Sequence, residues 1–422
     1  MRKTLIVLVC IVAVVVSLLG AGSAMPIERT AAAAAAEQTT TPTPTPAPTL
    51  IPAGTPMPTS GPEPTPPPTT QASIMAVGDL MCLSAQLSSA RIGGEYVFEQ
   101  SFAQIKPIIS SADLAMGNLE TLVAQDYPFT ARRKYEERTI TPEDGPPYTV
   151  MVRVGGSSRI NAPESYLSAV VDSGFDVLVT ANNHAFDRHE HGIEQTMQKL
   201  DEYGIAHTGS YASPEAKQPL VVTVNNINIG IVSYTDISNQ KPNSSQAYAL
   251  DRYNEEKLTA DIAATKLAGA DFIVVYIHWG NENTHKVTSR QKRMAQFIAD
   301  AGADLILGSH SHCTQPMGLI ETQRGTTPVI YSMGNFVGSM GRTINTDGVI
   351  LNYVLEKNYD TDETTLIELT YIPTLCRGTD EGNFIVLPAD LASIETSIYA
   401  SSLTKSRNRT IDVLGTTIAQ PQ

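Results

Sequence analysis

The stretch that decides the fold is residues 304–312, Asp304-Leu305-Ile306-Leu307-Gly308-Ser309-His310-Ser311-His312. Asp304 and the apolar run Leu305-Ile306-Leu307 have the length and flanks of a buried strand, and a glycine follows. His310 and His312 come next, at positions i and i+2. Two imidazoles placed there are costly to bury unless something binds them. The pattern therefore predicts a ligand-binding loop at the carboxyl end of a strand.

Similar apolar runs occur along the chain between residues 73 and 372. They predict strands at 73–77, 113–116, 175–179, 271–277, 304–307, 328–332, 348–356 and 365–372, with a hairpin over 220–224 and 227–234. Helical spacing predicts helices at 97–111, 166–171, 193–200, 255–268 and 294–298. The polar residues 121–160 form an inserted loop or hairpin in this interpretation. The alternation of strands and helices indicates an α/β fold.

Metal-competent side chains follow the carboxyl ends of five of these strand segments. They are Asp79, Glu120, Asn183, His278, His310 and His312. In an open α/β sheet those strand ends line one edge, where ligands bind. We therefore expect the six side chains to converge. Carboxylate, amide oxygen and imidazole together suit Mn²⁺, Fe²⁺ or Zn²⁺.

Taken singly, most of these residues have an ordinary structural explanation. Asp79 fits a helix N-cap, and Glu120 fits a surface acid. Asn183 fits a turn with left-handed backbone, and His278, beside the only tryptophan, fits a packed imidazole. The paired histidines at 310 and 312 are harder to explain in this way. The convergence of all six at strand ends favours a metal site.

Six motifs stand in a characteristic order. They are Gly78-Asp79, Gly117-Asn118-Leu119-Glu120, Ala181-Asn182-Asn183-His184-Ala185-Phe186-Asp187, His278-Trp279-Gly280-Asn281-Glu282, Gly308-Ser309-His310-Ser311-His312 and Tyr331-Ser332-Met333-Gly334-Asn335-Phe336. In these motifs the sequence resembles the CapA family over about residues 73 to 340. The resemblance implies a four-layer α/β/β/α sandwich, similar to that of calcineurin-like metallophosphoesterases, and a role in poly-γ-glutamate capsule synthesis.

The resemblance also implies roles for individual residues. Two divalent ions would be held by Asp79 and His312 on one side and by Asn183, His278 and His310 on the other, with Glu120 bridging. His184 would be the general acid, or the donor that stabilises charge on the leaving group, and Asp187 would orient it.

Two positions depart from the wider phosphoesterase pattern. Met81 stands where that pattern has a histidine, and the bridging acid is Glu120 rather than an aspartate. A thioether is a poor ligand for a hard ion, so the first ion would be under-coordinated, weakly held or absent. Because of these departures, fold similarity does not establish phosphatase activity.

Glu282 is a candidate for a supporting group or a substrate contact.

The N-terminal part predicts export. Arg2 and Lys3 precede an apolar run, and small residues end at Ala24, so residues 1–24 are a signal peptide or a retained membrane anchor. The Thr/Pro-rich residues 25–71 predict an extended stalk. Residues 72–390 form the CapA-like domain in this interpretation, and 391–422 a C-terminal helix and tail. The domain would lie at the extracellular face of the membrane or in the cell wall.

Net charge bears on the partners of the protein, and cysteine content bears on disulfides and metal ligands. The net charge is −14, from 29 basic and 43 acidic residues, which argues against binding to nucleic acid. Beyond the N-terminal segment, Cys82, Cys313 and Cys376 favour separate buried thiols, while a disulfide or a soft metal ligand stays open.

Two functions agree with these observations. The first is an exported metal-dependent hydrolase or transferase that acts on a phosphoester or a γ-linked amide and works with a membrane-bound capsule synthesis complex. The alternative is a non-catalytic subunit of that complex that binds poly-γ-glutamate, an anionic polymer, through metal and hands it on.

Overall fold

The computed structural model describes residues 25–26, 68–130, 134–140, 146–155, 159–379 and 382–415. The predicted signal peptide or anchor at 1–24 lies outside these residues, as does the predicted stalk apart from 25–26 and 68–71. Both remain predictions. Within the described ranges, every helix is too short or too polar to traverse a lipid bilayer.

The described residues form strands and helices that alternate through most of the chain. The strands are β1 (Met25–Pro26), β2 (Thr69–Leu80), β3 (Arg91–Ile92), β4 (Glu95–Tyr96), β5 (Leu114–Leu119), β6 (Lys134–Ile140), β7 (Tyr148–Gly155), β8 (Val177–Val179), β9 (Ala206–Thr208), β10 (Leu220–Val224), β11 (Ile227–Thr235), β12 (Phe272–His278), β13 (Leu305–Ser309), β14 (Thr314–Thr322), β15 (Gly325–Met333), β16 (Asn335–Val337), β17 (Asp347–Asn358), β18 (Glu363–Gly378) and β19 (Phe384–Pro388). The helices are α1 (Ser84–Ala90), α2 (Glu99–Phe102), α3 (Lys106–Ile109), α4 (Glu164–Asp172), α5 (His189–Glu202), α6 (Glu255–Leu267), α7 (Ser289–Ala301), α8 (Leu391–Thr396) and α9 (Ala400–Leu414).

Two large sheets contain most of the described strands. Sheet I has the strand order β1-β10-β11-β12-β13-β15-β14, and sheet II has the order β19-β18-β17-β2-β5-β8-β9, with β16 beside β2. In sheet I the strands β11, β12, β13 and β15 are parallel. In sheet II the strands β2, β5, β8 and β9 are parallel. Each sheet therefore presents a row of parallel strand ends at one edge.

Alternating side chains along β2 show how the layers pack. Ala72, Ile74 and Ala76 face a core between the two sheets, whereas Met75 and Val77 face helices on the outer side. Successive side chains of a strand point to opposite faces, so one strand contributes to two cores. Helices α4 and α5 cover sheet II, and α6 and α7 cover sheet I. The predicted α/β class with four α/β/β/α layers is confirmed.

Tyr276 of β12 lies between the sheets, two residues before the end of its strand. Its hydroxyl is 3.5 Å from the carbonyl oxygen of Val77 in β2 and 3.5 Å from that of Met116 in β5. These contacts join three of the parallel strands just before their carboxyl ends. The ends of β2, β5 and β12 therefore lie at the same level of the sandwich.

Some elements differ from the sequence-based expectation. The helix expected over 97–111 is two short helices, α2 and α3. Pro107 lies in the first turn of α3, where its missing N–H is tolerated, whereas a helix interior would not accept it. The sequence pattern also does not predict β14, an edge strand whose Pro316 and Gly318 weaken the strand signal. The predicted insertion over 121–160 contains the antiparallel hairpin β6–β7.

The C-terminal helix α9 packs against the sandwich. Its residue Leu414 joins the core between the sheets. Asp347, at the start of β17, is buried and accepts hydrogen bonds of 2.6 and 2.7 Å from Nε and Nη2 of Arg409. Ser406 Oγ donates a third, of 2.6 Å, to the same carboxylate. The helix therefore neutralises a buried charge of sheet II.

We expect Arg409→Met to lower the free energy of unfolding by about 2 to 3 kcal/mol, because it leaves the buried Asp347 carboxylate without its cation. The expected loss is below that for a fully buried pair, since 33% of the Arg409 side chain is exposed. Urea unfolding measures the change. Lys405→Met, at an exposed position of α9, is the control and should stay within about 0.5 kcal/mol of the wild type. Equal stability of the two variants would contradict the proposed role of the ion pair.

Candidate metal centre

The ends of the parallel strands bring the six predicted ligands together. Each lies in the last two residues of a strand or in the loop that follows, and each is at most 4% exposed: Asp79 in β2, Glu120 after β5, Asn183 after β8, His278 at the end of β12, and His310 and His312 after β13. Sheet II contributes the first three, and sheet I contributes the three histidines. The cluster therefore spans the edges of both sheets.

One group of donor atoms surrounds the imidazole of His278. Its Nε2 lies 2.9 Å from Asn183 Oδ1 and 3.0 Å from His310 Nδ1, and Glu120 Oε1 is 3.7 Å away. A single ring nitrogen carries at most one proton, so these atoms cannot all be satisfied by hydrogen bonds among themselves. Adjacent ligands of one octahedral ion with bonds of about 2.1 Å lie about 3 Å apart. The spacing fits a shared cation.

A second group consists of Asp79, His312 and Glu120. His312 Nδ1 lies 3.3 Å from Asp79 Oδ2, and His312 Nε2 lies 3.8 Å from Glu120 Oε1. Ligand atoms of this group lie within 4.8 Å of one another, as do those of Glu120, His278 and His310. Glu120 is common to both groups, which is the position of a bridging ligand.

Glu120 gives the clearest test of whether these residues fit a cation. Both of its carboxylate oxygens are buried, and neither has a hydrogen-bond donor. Its polar neighbours include the Asp79 carboxylate, which has no proton to give when ionised, and imidazole nitrogens 3.7 and 3.8 Å away. An ionised carboxylate buried without a donor is costly, so without a cation the raised pKa of Glu120 favours its protonated form. A divalent cation is the partner that this environment lacks, so the residues fit a metal centre.

The three histidines of the cluster differ in protonation: the pKa is lowered for His278 and His310 and raised for His312. Burial lowers the pKa of His310 to about 4 and holds that of His278 well below its usual range, so both rings are neutral and have a free lone pair. Burial also disfavours charge on His312, but Glu120 and Asp79 outweigh it and raise its pKa to about 10. Burial and the charge of Asp79 raise the pKa of Glu120 well above its usual range. A bound cation would replace the proton on His312, because metal binding displaces protons from ligands.

The loop that carries the two histidines has an unusual backbone. His310 has a φ of 85° and His312 a φ of 54°, a region that residues other than glycine seldom adopt. Gly308 precedes them because a Cβ there would lie 2.1 Å from the carbonyl oxygen of Tyr331. Such strain persists where the surroundings enforce it, and it clusters at functional sites.

Several amides and a hydroxyl hold the ligands in place, and sequence reasoning did not assign them a role. Asn118 Nδ2 donates to Asp79 Oδ1 over 2.8 Å, and Asn182 Nδ2 lies 3.2 Å from Asn118 Oδ1. Ser309 Oγ is 2.8 Å from His278 Nδ1, and Asn335 Oδ1 is 3.0 Å from His312 Nδ1. Asn118, Asn182 and Ser309 lie in the same short motifs as predicted ligands, whereas Asn335 lies in a motif that contains none of them. Groups of this kind fix the orientation of metal-binding imidazoles.

The structure also places His184 and Asp187 in contact, beside the cluster. His184 Nδ1 lies 2.7 Å from Asp187 Oδ2, and the Ile160 backbone N–H donates to the same oxygen over 2.8 Å. Asn182 Oδ1 accepts from the His184 backbone N–H over 3.1 Å. The His184 ring is therefore fixed through Nδ1, directly after the predicted ligand Asn183.

The three described cysteines, Cys82, Cys313 and Cys376, are free and buried. Burial raises the pKa of Cys376 to about 11 and also raises that of Cys313. Among the described residues, the candidate metal groups contain no cysteine. The expectation of separate buried thiols is confirmed.

A match to a known protein family establishes to which family the chain belongs. Residues 73–340 match the family described as bacterial capsule synthesis protein PGA_cap, which is more than half of the chain. The chain belongs to this family. The predicted resemblance to CapA proteins is thereby confirmed. The matched range contains all six predicted ligands together with His184 and Asp187.

Curated relatives of this PGA_cap protein include two that carry the CapA name. The PGA biosynthesis protein CapA of Bacillus subtilis is 28% identical over 265 residues, which cover 61% of each chain. The capsule biosynthesis protein CapA of Bacillus anthracis is 28% identical over 274 residues, 64% of this chain and 60% of the relative. The chain thus spans about three fifths of the length of these relatives.

Solved structures similar to the PGA_cap protein are more distant. The calcineurin-like phosphoesterase YfkN from Bacillus subtilis has 12% identity and a TM-score of 0.41, and the alignment covers 81% of this chain and 100% of YfkN. A phosphatase from Mycoplasma pneumoniae has 13% identity and a TM-score of 0.41, with 79% and 99% covered. The family assignment rests on the match over residues 73–340.

Proposed function

We propose that this protein is a metal-dependent hydrolase or transferase of poly-γ-glutamate capsule biosynthesis that acts on a phosphoester or a γ-linked amide. The observation that carries the proposal is Glu120, a buried carboxylate without a hydrogen-bond donor between two groups of metal-competent side chains. Membership of the PGA_cap family supports the capsule context.

The proposed ligands divide between two ions, Mn²⁺, Fe²⁺ or Zn²⁺. Asp79 and His312 would hold one, Asn183, His278 and His310 the other, and Glu120 would contact both. When bound, such ions supply a Lewis acid and an activated water at neutral pH. Neutral His278 and His310 offer lone pairs, and the buried carboxylates offset the positive charge.

His184 would move the proton that a leaving group needs. Asp187 accepts the Nδ1–H of the ring and fixes its orientation, which leaves Nε2 as the atom that exchanges a proton with the substrate. The hydrogen bond from the Ile160 backbone holds Asp187 in turn. An imidazole held by a carboxylate in this way is suited to protonate an alkoxide or an amine.

The charge of the chain supports the same proposal. With a net charge of −14, the protein repels a polyanion such as poly-γ-glutamate unless cations attract it locally. A pair of divalent ions would provide that attraction at the strand ends. We propose that the polymer, or an intermediate of its synthesis, is the substrate, and that a membrane-bound capsule synthesis complex is the partner. The site of action would be the outer face of the membrane or the cell wall, through the segment at 1–24.

Met81 favours one alternative function. It follows Asp79 by two residues, where the wider phosphoesterase pattern has a histidine, and a thioether there would leave the first ion with one ligand fewer. A protein with a single well-held ion would bind the carboxylates of poly-γ-glutamate without cleaving anything. It would then serve as a non-catalytic subunit of the synthesis complex.

The first test is metal content together with activity. We expect the full chain to copurify with divalent metal, and EDTA to remove both the metal and any turnover of γ-glutamyl polymers or phosphoesters. Elemental analysis before and after chelation, followed by re-addition of Mn²⁺ or Zn²⁺, measures both. Metal binding without turnover of any of these substrates would support the binding subunit. A chain that binds neither ion would contradict both functions.

A further inference from the structure

We propose that Glu282 is an additional ligand of the metal centre, which supplies the first ion with the donor that Met81 does not provide. This inference rests on the proposed metal centre. It extends the ligand set from buried residues to an exposed side chain in the loop after β12.

The position of the Glu282 carboxylate supports this role. One of its oxygens lies within 4.8 Å of a nitrogen of His312, the proposed histidine ligand of the first ion, and of a nitrogen of His310, which the second ion would share. Two ligands on opposite sides of one ion with bonds of about 2.1 Å are about 4.2 Å apart. The separations around Glu282 are therefore close to those between ligands of one ion, and its exposed side chain can adjust its position.

The backbone around Glu282 is tied to the loop that carries the two histidines. The N–H of Asn283 donates to the carbonyl oxygen of Ser311 over 2.8 Å. On the other side, the N–H of Trp279 donates to the carbonyl oxygen of Ser309 over 3.4 Å. Both hydrogen bonds end at residues next to His310. They fix the position of the Glu282 backbone relative to His310, although the Glu282 side chain is exposed to solvent.

The chemistry of the donors agrees with this placement. Without Glu282, the first ion would have two carboxylates and one imidazole, from Asp79, Glu120 and His312. The thioether of the buried Met81 adds nothing for a hard ion. A further carboxylate completes a set of oxygen and nitrogen donors. An exposed carboxylate can also change its position when a substrate enters, which a buried histidine could not do.

Titration with Mn²⁺ tests the proposal. The metal-free full chain and its Glu282→Gln variant are titrated by calorimetry, and the bound metal is counted by elemental analysis. We expect two ions in the wild type. In Glu282→Gln we expect one ion at wild-type affinity and the second at least about 10-fold weaker. Asn281→Ala, an exposed neighbour in the same loop, is the control and should bind like the wild type.

A second variant identifies which ion is affected. Asp79→Asn should weaken the same ion, and the double variant should lose little more than Asp79→Asn alone, because both residues serve one site. Two ions bound at wild-type affinity by Glu282→Gln would overturn the inference, and a changed turnover in that variant would then assign Glu282 to the substrate. Failure of the wild type to bind Mn²⁺, Fe²⁺ and Zn²⁺ alike would instead overturn the proposed function itself.

Discussion

Replacement of Glu120 by glutamine is expected to release both ions and to abolish metal-dependent turnover. Glu120 belongs both to the group with His278 and His310 and to the group with Asp79 and His312, so its loss affects both proposed ions. Glutamine keeps the shape but removes the charge, and its NH₂ group points a donor toward the ions. We expect the affinity to fall by more than the roughly 10- to 100-fold that loss of a supporting hydrogen bond costs.

The same substitution should have the opposite effect on the metal-free protein. Because the buried carboxylate of Glu120 has no donor, its removal should leave the stability of the metal-free chain unchanged or raise it. The wild type should gain about 2.7 kcal/mol from an ion at 100 times its dissociation constant, and the variant should gain nothing. Thermal melts with and without Mn²⁺ measure both effects.

A matched control is Glu256→Gln, at an exposed position of α6. It should keep the ions, the turnover and the stabilisation by Mn²⁺. Wild-type metal content in Glu120→Gln would show that the bridging position is wrong.

Replacement of His184 by alanine is expected to lower kcat by roughly 10²- to 10⁴-fold while the metal content stays unchanged. His184 is absent from the groups of candidate ligands among the described residues, and its Nδ1 is held by Asp187. The loss should therefore come from proton transfer and not from the loss of an ion. Substrates with leaving groups of different acidity separate the two causes. A nitrophenolate leaves without a proton, so the variant should cleave such an ester with a much smaller defect than an alkyl ester.

Asp187→Asn is the matched variant for this role. The amide oxygen can still accept from the Ile160 backbone, but the ring of His184 loses the carboxylate that fixes its tautomer. We expect a defect smaller than that of His184→Ala and with the same dependence on the leaving group. Unchanged turnover in His184→Ala, for alkyl and nitrophenyl esters alike, would remove the general-acid role of His184.

The sequence predicts the ligands because their positions follow a rule of topology. An apolar strand ends, a polar side chain follows, and the ends of parallel strands meet at one edge. Asp79 and His278 could be placed in this way from the apolar runs that precede them. The two-sheet arrangement could not, because a strand buried on both faces has the same pattern in one sheet or in two. That prediction came from the resemblance to the CapA family.

The supporting residues were beyond sequence reasoning for a physical reason. Asn335 contacts His312 because β16 pairs with β2, and such a distant pairing leaves no periodic signal in the sequence. Asparagine is common in ordinary turns, so the sequence gives Asn118 no special role. Only the fold shows its hydrogen bond to Asp79. Glu282 was a candidate supporting group or substrate contact from its motif, but it lies in a loop, where periodicity does not say which way a side chain points.

Anomalous diffraction from crystals grown with Mn²⁺ tests the central claim most directly. We expect two peaks at the carboxyl ends of the parallel strands, one beside Asp79 and His312 and one beside Asn183, His278 and His310, with Glu120 in contact with both. A map without a peak between these side chains, or a crystal in which they point away from one another, would contradict the proposed metal centre.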